Sequence, residues 1–397
     1  MMTTSSPNLD IYVANSFTEI EKYRLYWASL NKHPDADIDF FTYYVNNTPN
    51  VVEPYVLVAS ENQNTQAMII GRLENALIPI KLGYFTIFRI KARQLVLLQD
   101  GYLGSFTREI ERAMIRQILN SLQEGTADRA ILCNLPVGSG LHQVAKIEPN
   151  RWCRDYANQT SERWKTQLPN SFDEFMSRRP KKHRYWLRRI ARVFEEHAGT
   201  VEYKKYQKRE DIDSFCRHAE TIAKKTYQRG LGVGYIDNLD IRRRLELAAD
   251  RGWLRAYILF ANDEPVSFWC GRLYKDTMLL DWTGFIPSYR KYEIGTILFL
   301  KMVEDLCESG ARAIDYGMGT SFYKERFGDL KCSEGSVLFY SLTTRGLFIS
   351  AVTTLVVTVN SIAKVVASKL RILDWVKKYW RKQLASQIEI DATKPEK

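Results

Sequence analysis

Residues 253–317 hold the pattern that most narrows what this chain can fold into. WLRAYILF (253–260), PVSFWCGRL (265–273) and TMLLDWTGF (277–285) are apolar runs rich in β-branched and aromatic residues, separated by the short turns Asn262-Asp263-Glu264 and Lys275-Asp276. Turns this short force neighbouring strands to run antiparallel, so the segment predicts a three-stranded meander. After a loop with Pro287, the residues Ile297, Leu298, Leu300, Met302, Val303 and Leu306 recur at helical spacing over about 295–309, Gly310 ends the helix, and RAIDYG (312–317) reads as a strand. A strand, helix and strand of this size imply a parallel pair with a right-handed crossover. The last meander strand and the strand after the helix can then splay apart at their ends. That leaves a cleft beside a helix N-terminus, whose unsatisfied amides favour an anion such as a pyrophosphate.

The first part of the 397-residue chain follows a similar plan. Short β-rich runs at 55–59, 66–73 and 93–99 precede one strong helix around 107–123 and the apolar run RAILCNLP at 129–136. Strands, helix and strand suggest a first α/β module. In the second part, Ser171-Phe-Asp-Glu174 is a capping box, and Pro180 separates two helical pieces that run through Phe194. Arg184, Arg188 and Arg192 line up on one face of the second piece, while Trp186, Leu187, Ile190, Val193 and Phe194 recur at helical spacing. SVLFYSL (336–342) reads as a final strand. From about 347 onward one long helix carries the stripe Leu355, Val359, Ile362, Val366, Leu370, Leu373, Val376 and Trp380. Three regions follow: 1–165, 166–342 and an amphipathic helical tail at 343–397.

Composition is ordinary for a globular chain, which argues against disorder or fibre. The net charge of +11 carries more information, because it is concentrated. Phe175 to Phe194 contains eight Lys/Arg and no acid, and Lys364 to Lys382 contains seven Lys/Arg against Asp374. Together these two segments exceed the net charge, so the remainder is slightly acidic and a generally nucleic-acid-binding surface is not expected. Six scattered cysteines form no CxxC pair and the five histidines make no metal-like spacing, so neither a disulfide framework nor a metal site is expected. MMTTSSPNLD has no basic start followed by an apolar stretch, so no signal peptide is expected and the location is read as cytoplasmic. Gly346 to Ala363 is free of charge but polar for a spanning helix; flanked by Trp375, Tyr379, Trp380 and basic residues, the tail suits either docking on the chain's own sheet or peripheral contact with the inner face of an anionic membrane.

The order of FDEFMSRRPKKHRYWLRRIAR (172–192), the meander with DWTGF (281–285) and PSYRKYEIGTILFLKMVEDLCESGARAIDYGMGTSFYKERFGD (287–329) resembles the GNAT acyltransferase superfamily, in its FemAB-like, cellulose-biosynthesis-associated branch. The resemblance covers about 170–342 well and the first module by general plan. It implies an α/β (α+β) chain of two tandem GNAT-like modules with mixed, mostly antiparallel sheets, plus the C-terminal amphipathic helix. It also implies that acetyl-CoA or another acyl-CoA lies along the splayed strand, with Trp282, Thr283, Gly284 and Phe285 pairing with the pantetheine. Arg290, Lys291, Tyr292, Gly295 and Thr296 would then receive the pyrophosphate. The superfamily loop Arg/Gln-x-x-Gly-x-Gly/Ala stands here as Arg290-Lys-Tyr-Glu-Ile-Gly295-Thr296, with one Gly and altered spacing. Since related Fem enzymes use aminoacyl-tRNA, the donor stays open.

Amide formation from a thioester needs a neutral amine, a route for its proton and donors to the developing oxyanion. Asp315, at a strand end facing the cleft, is a candidate base or acceptor-orienting group. Tyr323 is a candidate acid or oxyanion donor, and Asp281 a second-rank catalytic candidate. Lys324, Tyr289, Arg184, Arg188 and Tyr227 are candidates for binding the acceptor or its phosphates. Each has a plain structural reading beside it: a cap or ion pair for Asp315, a packed ring for Tyr323, a solvated face for the arginine row. The leading expectation is an acyl-CoA-dependent N-acyltransferase, N-acetyl by analogy, acting on an amine- or hydroxyl-bearing cell-envelope or exopolysaccharide precursor. A Fem-type aminoacyl-tRNA-dependent transferase and a non-catalytic sugar-nucleotide-binding or docking module are the competing readings.

Overall fold

The computed structural model describes residues 9–83, 85–156, 160–226, 229, 234–319 and 321–369. In chain order the strands are β1 (Leu9–Ala14), β2 (Val51–Glu61), β3 (Asn64–Leu82), β4 (Phe85–Gly104), β5 (Arg129–Pro136), β6 (Thr160–Gln167), β7 (Val201–Tyr206), β8 (Leu254–Ala261), β9 (Glu264–Tyr274), β10 (Thr277–Phe285), β11 (Ala313–Met318) and β12 (Leu330–Tyr340). Two compact units divide the described residues, one made of 9–162 with 332–369 and the other of Arg163–Lys331.

Within the first unit, β1 to β4 form an antiparallel meander, β5 pairs parallel with β4, and β12 closes the row antiparallel to β5. The helix Arg108–Gln123 supplies the β4-to-β5 crossover and packs through Ile110, Met114, Ile115, Ile118 and Leu122. Within the second unit the same plan recurs: β7 to β10 form the meander, β11 pairs parallel with β10, and β6 closes the row antiparallel to β11. Its crossover helix, Ile294–Glu308, is apolar on nearly every side and buries Ile297, Leu298, Phe299, Met302, Val303 and Leu306. Such a helix can only sit in a core.

This arrangement corrects the expected boundaries in one respect. The strand read at 336–342 as the end of the second module is β12, and its partner is β5, from Glu334↔Pro136 to Tyr340↔Arg129. The short run TSERWKTQ, straddling the expected boundary at 165, supplies the last strand of the second unit. Each row is thus completed by residues that follow the other unit in sequence. Strand pairing is set by which apolar faces meet, and hydrophobic pattern alone does not show which neighbour a terminal strand chooses.

The Ser171 cap forms, its hydroxyl accepting from the Glu174 amide at 3.2 Å, while the Glu174 carboxylate turns to Arg178. Pro180 separates Phe172–Ser177 from the basic helix Lys181–Ala198, as expected. The tail helix spans Thr344–Lys369 and docks on the β3–β4 hairpin through Ile349, Val352 and Val356, against Ile78, Ile80 and Ala92. The expected continuation of its stripe through Leu370, Leu373, Val376 and Trp380 lies outside the described residues.

Candidate active site

β10 and β11 pair only from Thr277↔Ala313 to Leu279↔Asp315. Beyond that point β10 continues to Phe285 and β11 to Met318 with no register between them, so the two strands part as the sequence predicted. A bulge between Leu280 and Trp282 leaves Asp281 out of register with β9. The edge of residues 281–285 facing β11 therefore offers backbone donors and acceptors to an extended ligand, the geometry by which a chain-like molecule adds to a sheet edge.

The crossover helix starts at the mouth of this opening, after the turn Pro287–Tyr292 and Glu293, which is left-handed at φ 51°. Glu293 Oε2 accepts from the Thr296 hydroxyl at 3.1 Å and pairs with Arg326 at 2.7 Å. Arg326 in turn lies 4.6 Å from the Trp186 ring centroid and 4.0 Å from that of Phe322. A carboxylate at a helix N-terminus is favoured by the dipole. It also places negative charge close to the amides that a pyrophosphate would seek.

On the β11 side, Asp315 is buried and saturated. It accepts from Arg163 Nε at 2.8 Å, pairs with Arg163 Nη2 at 2.6 Å and Lys165 Nζ at 3.3 Å, and takes the Gly317 amide at 2.9 Å. Two cations and an amide thus occupy its carboxylate. Gly317 and Gly319 follow at φ 69° and 89°, a left-handed path that lets β11 turn toward the short helix Phe322–Phe327. From that helix Lys324 Nζ reaches back to the carbonyls of Gly317 at 3.2 Å and Met318 at 2.6 Å. Burial pulls the Lys324 ammonium down to about 8, against the opposing attraction of Asp315.

Tyr323 is half-buried, edge-on to Trp269 at 5.0 Å and 6.0 Å from Tyr316. Trp269 Nε1 donates to the Gly295 carbonyl at 2.9 Å, so this indole ties β9, the first turn of the crossover helix and the Tyr323 ring together. Below the helix start lies a pocket of about 340 Å³ lined by His197, Lys225, Tyr289, Lys291 and Tyr292, with Glu264 also in its wall. The His197 ring stacks on Tyr292 at 4.5 Å.

The predicted residues divide accordingly. Trp282, Thr283, Gly284 and Phe285 form the open strand edge, with the Thr283 hydroxyl donating to the Phe268 carbonyl at 3.0 Å. Arg290 and Lys291 are exposed on the turn, and Tyr292, Gly295 and Thr296 flank Glu293. Tyr289 lines the pocket and packs edge-on against Phe194 at 6.2 Å. Asp281 is held by Arg272 through bonds of 2.9 and 2.8 Å, an ion pair rather than a presented base. The basic helix packs inward through Leu187, Phe194 and Ala198, which turns Arg188 and Arg192 to solvent; Arg184 bonds to the Ser177 carbonyl at 3.2 Å. The arginine row therefore does not line the opening. Tyr227 lies outside the described residues.

Arg163, Lys165, Glu293, Arg326, Trp269 and His197 were not foreseen. For Arg163 a signal exists: in TSERWKTQ the alternation sends Arg163 and Lys165 to one side, and that becomes meaningful only once the segment is known to be a strand.

The first unit has the equivalent opening and closes it. β4 and β5 pair only from Gln94↔Arg129 to Leu97↔Leu132, after which Asn134 donates to Gln99 and the Tyr102 hydroxyl donates to the Cys133 carbonyl at 3.2 Å. Its crossover helix is capped by Thr107 and carries Glu109 and Glu111 in the first turn. Acidic residues there repel an incoming anion.

Residues 181–325 match the family model described as acetyltransferase (GNAT) domain. No curated protein matches the chain. Among solved structures, FemX has 10% identity and a TM-score of 0.51, covering 76% of this chain and 95% of its own. The tandem GNAT protein from the clavulanic acid biosynthesis pathway has 9% identity and a TM-score of 0.48, covering 85% of this chain and 100% of its own. L-PGS from Bacillus licheniformis has 15% identity and a TM-score of 0.47, covering 87% of this chain and 98% of its own. At 10% identity the likeness to FemX is one of fold, and the segment that matches the acetyltransferase (GNAT) domain model, residues 181–325, lies inside the second unit, around the parted strands.

Proposed function

We propose that the protein is an acyl-CoA-dependent N-acyltransferase whose acceptor is an amine-bearing cell-envelope or exopolysaccharide precursor. The observation that carries the donor half of this reading is the parting of β10 from β11 beside the start of the crossover helix. The open edge of 281–285 is suited to a pantetheine-like chain, and Lys225, Lys291 and Arg290 supply the positive charge that an acyl donor's phosphates require. The thioester provides the activated acyl group. The chain's own residues then hold, orient and move protons: Tyr323, half-buried against Trp269, is the hydroxyl placed to protonate a departing thiolate or to donate to the oxyanion. Asp315, neutralised by Arg163 and Lys165, keeps the β11 end fixed; the proton that the attacking amine loses goes to the tyrosinate formed when Tyr323 protonates the thiolate, so the transfer is proton-neutral. The envelope assignment of the acceptor rests on likeness to the FemAB branch.

One observation favours a second donor, aminoacyl-tRNA. Glu293 puts a carboxylate at the helix start, and the exposed Arg188, Arg189 and Arg192 offer a phosphate-binding face elsewhere on the same unit. Thermal stabilisation by acetyl-CoA, longer acyl-CoAs and charged tRNA, each alone, separates the two. Acyl-CoA should raise the melting temperature, and turnover with amino sugars should follow. Stabilisation by charged tRNA and by no CoA would overturn the proposal.

A further inference from the structure

The β3–β4 hairpin and the tail helix form a projection in the first unit that takes no part in the chemistry described above. Arg345 at the start of the helix donates to the Lys91 carbonyl, low on the hairpin, and is held by Asp128. Asn360, four turns later, brackets the hairpin tip, donating to the Lys81 carbonyl at 2.8 Å and accepting from the Gly83 amide at 2.8 Å. The helix thus runs from hairpin base to hairpin tip, which it reaches at Asn360, and continues past it to Lys369.

The tip is apolar and open. Leu82, Ile87 and Phe88 at the tip are 45%, 57% and 45% exposed, and Val359, Ile362 and Val365 on the helix are 40%, 59% and 55% exposed. Of the 23 large exposed hydrophobic side chains among the described residues, nine lie on these two elements. Scattered exposed leucines need no explanation, whereas a concentration at the tip of a projection does. The helix already uses one stripe, Ile349, Val352 and Val356, to cover the hairpin. Leu355, Val359 and Ile362 form a second stripe about a quarter turn away.

Charge decides what covers this tip. From Asn75 to Gln99 the hairpin has four basic residues and no acid, and the helix Thr344–Lys369 has three and no acid. Lys81, Arg89 and Lys91 are exposed and, among the described residues, make no ion pair. A second copy of the chain would bring the same positive charge to the contact, and Glu or Asp on a protein partner would not call for the apolar end. Apolar side chains rimmed by unpaired cations fit the boundary between the anionic headgroups and the acyl chains of a bilayer. The helix is long and apolar enough to cross a membrane by length and composition, but Asn360 is committed to the hairpin backbone, and Ser350, Thr353, Thr354, Thr358 and Ser361 make it polar.

We infer that the joint tip of the β3–β4 hairpin and the tail helix dips into the surface of an anionic membrane, with the hairpin as necessary as the helix. Vesicles of phosphatidylcholine alone and vesicles carrying phosphatidylglycerol, co-sedimented with the full chain, test this. The parent chain should partition onto the anionic vesicles and be released by salt. Ile87→Glu/Phe88→Glu and, separately, Lys81→Gln/Arg89→Gln should each lower partition about ten-fold or more, with melting temperature and acyl transfer to a soluble acceptor unchanged. Equal binding to both vesicle types would overturn the inference, as would anionic binding that the hairpin variants leave intact. A dimer dissociated by Ile87→Glu/Phe88→Glu, with no vesicle binding by the parent, would overturn it in favour of self-association.

Discussion

Replacing Arg163 by Met strands the Asp315 carboxylate in the interior of the second unit, and the structure sets how much that should cost. Arg163 and Asp315 side chains are 4% and 3% exposed and are joined by contacts of 2.8 and 2.6 Å. Removing one partner of a buried ion pair costs about 3–5 kcal/mol, because the survivor is left desolvated without compensation. Lys165 remains at 3.3 Å and the Gly317 amide at 2.9 Å, which places Arg163→Met near the lower end, at about 3 kcal/mol. Asp315→Leu leaves Arg163 buried without its partner and should cost a similar amount. The double variant Arg163→Met/Asp315→Leu removes both charges and leaves one amide unsatisfied, at about 1–3 kcal/mol. It should therefore be no less stable than either single variant, and the cycle should give a coupling energy of about 2 kcal/mol or more. Urea unfolding followed by tryptophan fluorescence reads mainly the second unit, which holds Trp164, Trp186, Trp253, Trp269 and Trp282. If Arg163→Met lies within about 1 kcal/mol of the parent, below the range for buried pairs, the role of Asp315 in fixing the β11 end fails. An Asp315→Asn variant as stable as the parent yet inactive would restore Asp315 as a base.

Tyr323→Phe should lower kcat by about 10²-fold or more in the acyl-transfer assay, the range for loss of a positioned acid or oxyanion donor, while leaving the melting temperature unchanged because the ring still packs on Trp269. Lys324 has a folded-state value near 8, below its ordinary 10.5, so between these values the unfolded chain binds more protons and stability rises with pH. This contribution is at most about 1.4 kcal/mol per pH unit; it should appear in urea midpoints between pH 8 and 10 and be absent from Lys324→Met. Glu293→Gln removes the negative charge at the crossover-helix start and should tighten acetyl-CoA binding about five-fold by calorimetry, whereas a donor that avoids this helix end would show no gain.

The meander, the crossover helix and β11 were legible because each is a short-range pattern: apolar alternation, a tight turn, a Gly stop. The parting of β10 and β11 is the opening that the same patterns allow, since the last strand of a meander and the parallel strand that follows its crossover helix can diverge at their ends. What stayed hidden depends on partners distant in sequence. Nothing in TSERWKTQ shows that it will lie beside RAIDYG, so Arg163 could not be assigned to Asp315, 152 positions away. Asp315 and Asp281 looked like candidate bases because unpaired carboxylates and ion-paired ones are identical in sequence. The placement of the arginine row was hidden for a different reason. Its helical spacing was read correctly, but the inward face is fixed by Leu187, Phe194 and Ala198, and the row falls on the other side.

The net charge that dominates the composition is consequently not the charge that organises the opening. There the ionic groups come in matched sets: Arg163 and Lys165 with Asp315, Arg272 with Asp281, and Arg326 with Glu293. Several of these side chains are deeply buried, where salt screens poorly, so they hold strand ends and helix starts in place without attracting polyanions. Exposed cations sit instead on the outer face of the basic helix and on the β3–β4 hairpin, where they act at a distance and are screened at physiological ionic strength. The matched pairs fix the geometry of the opening, while Arg290, Lys291 and Lys225 add positive charge at the start of the crossover helix. Because the buried pairs are screened little by salt, the geometry around Tyr323 and the β10 edge should stay constant as ionic strength changes.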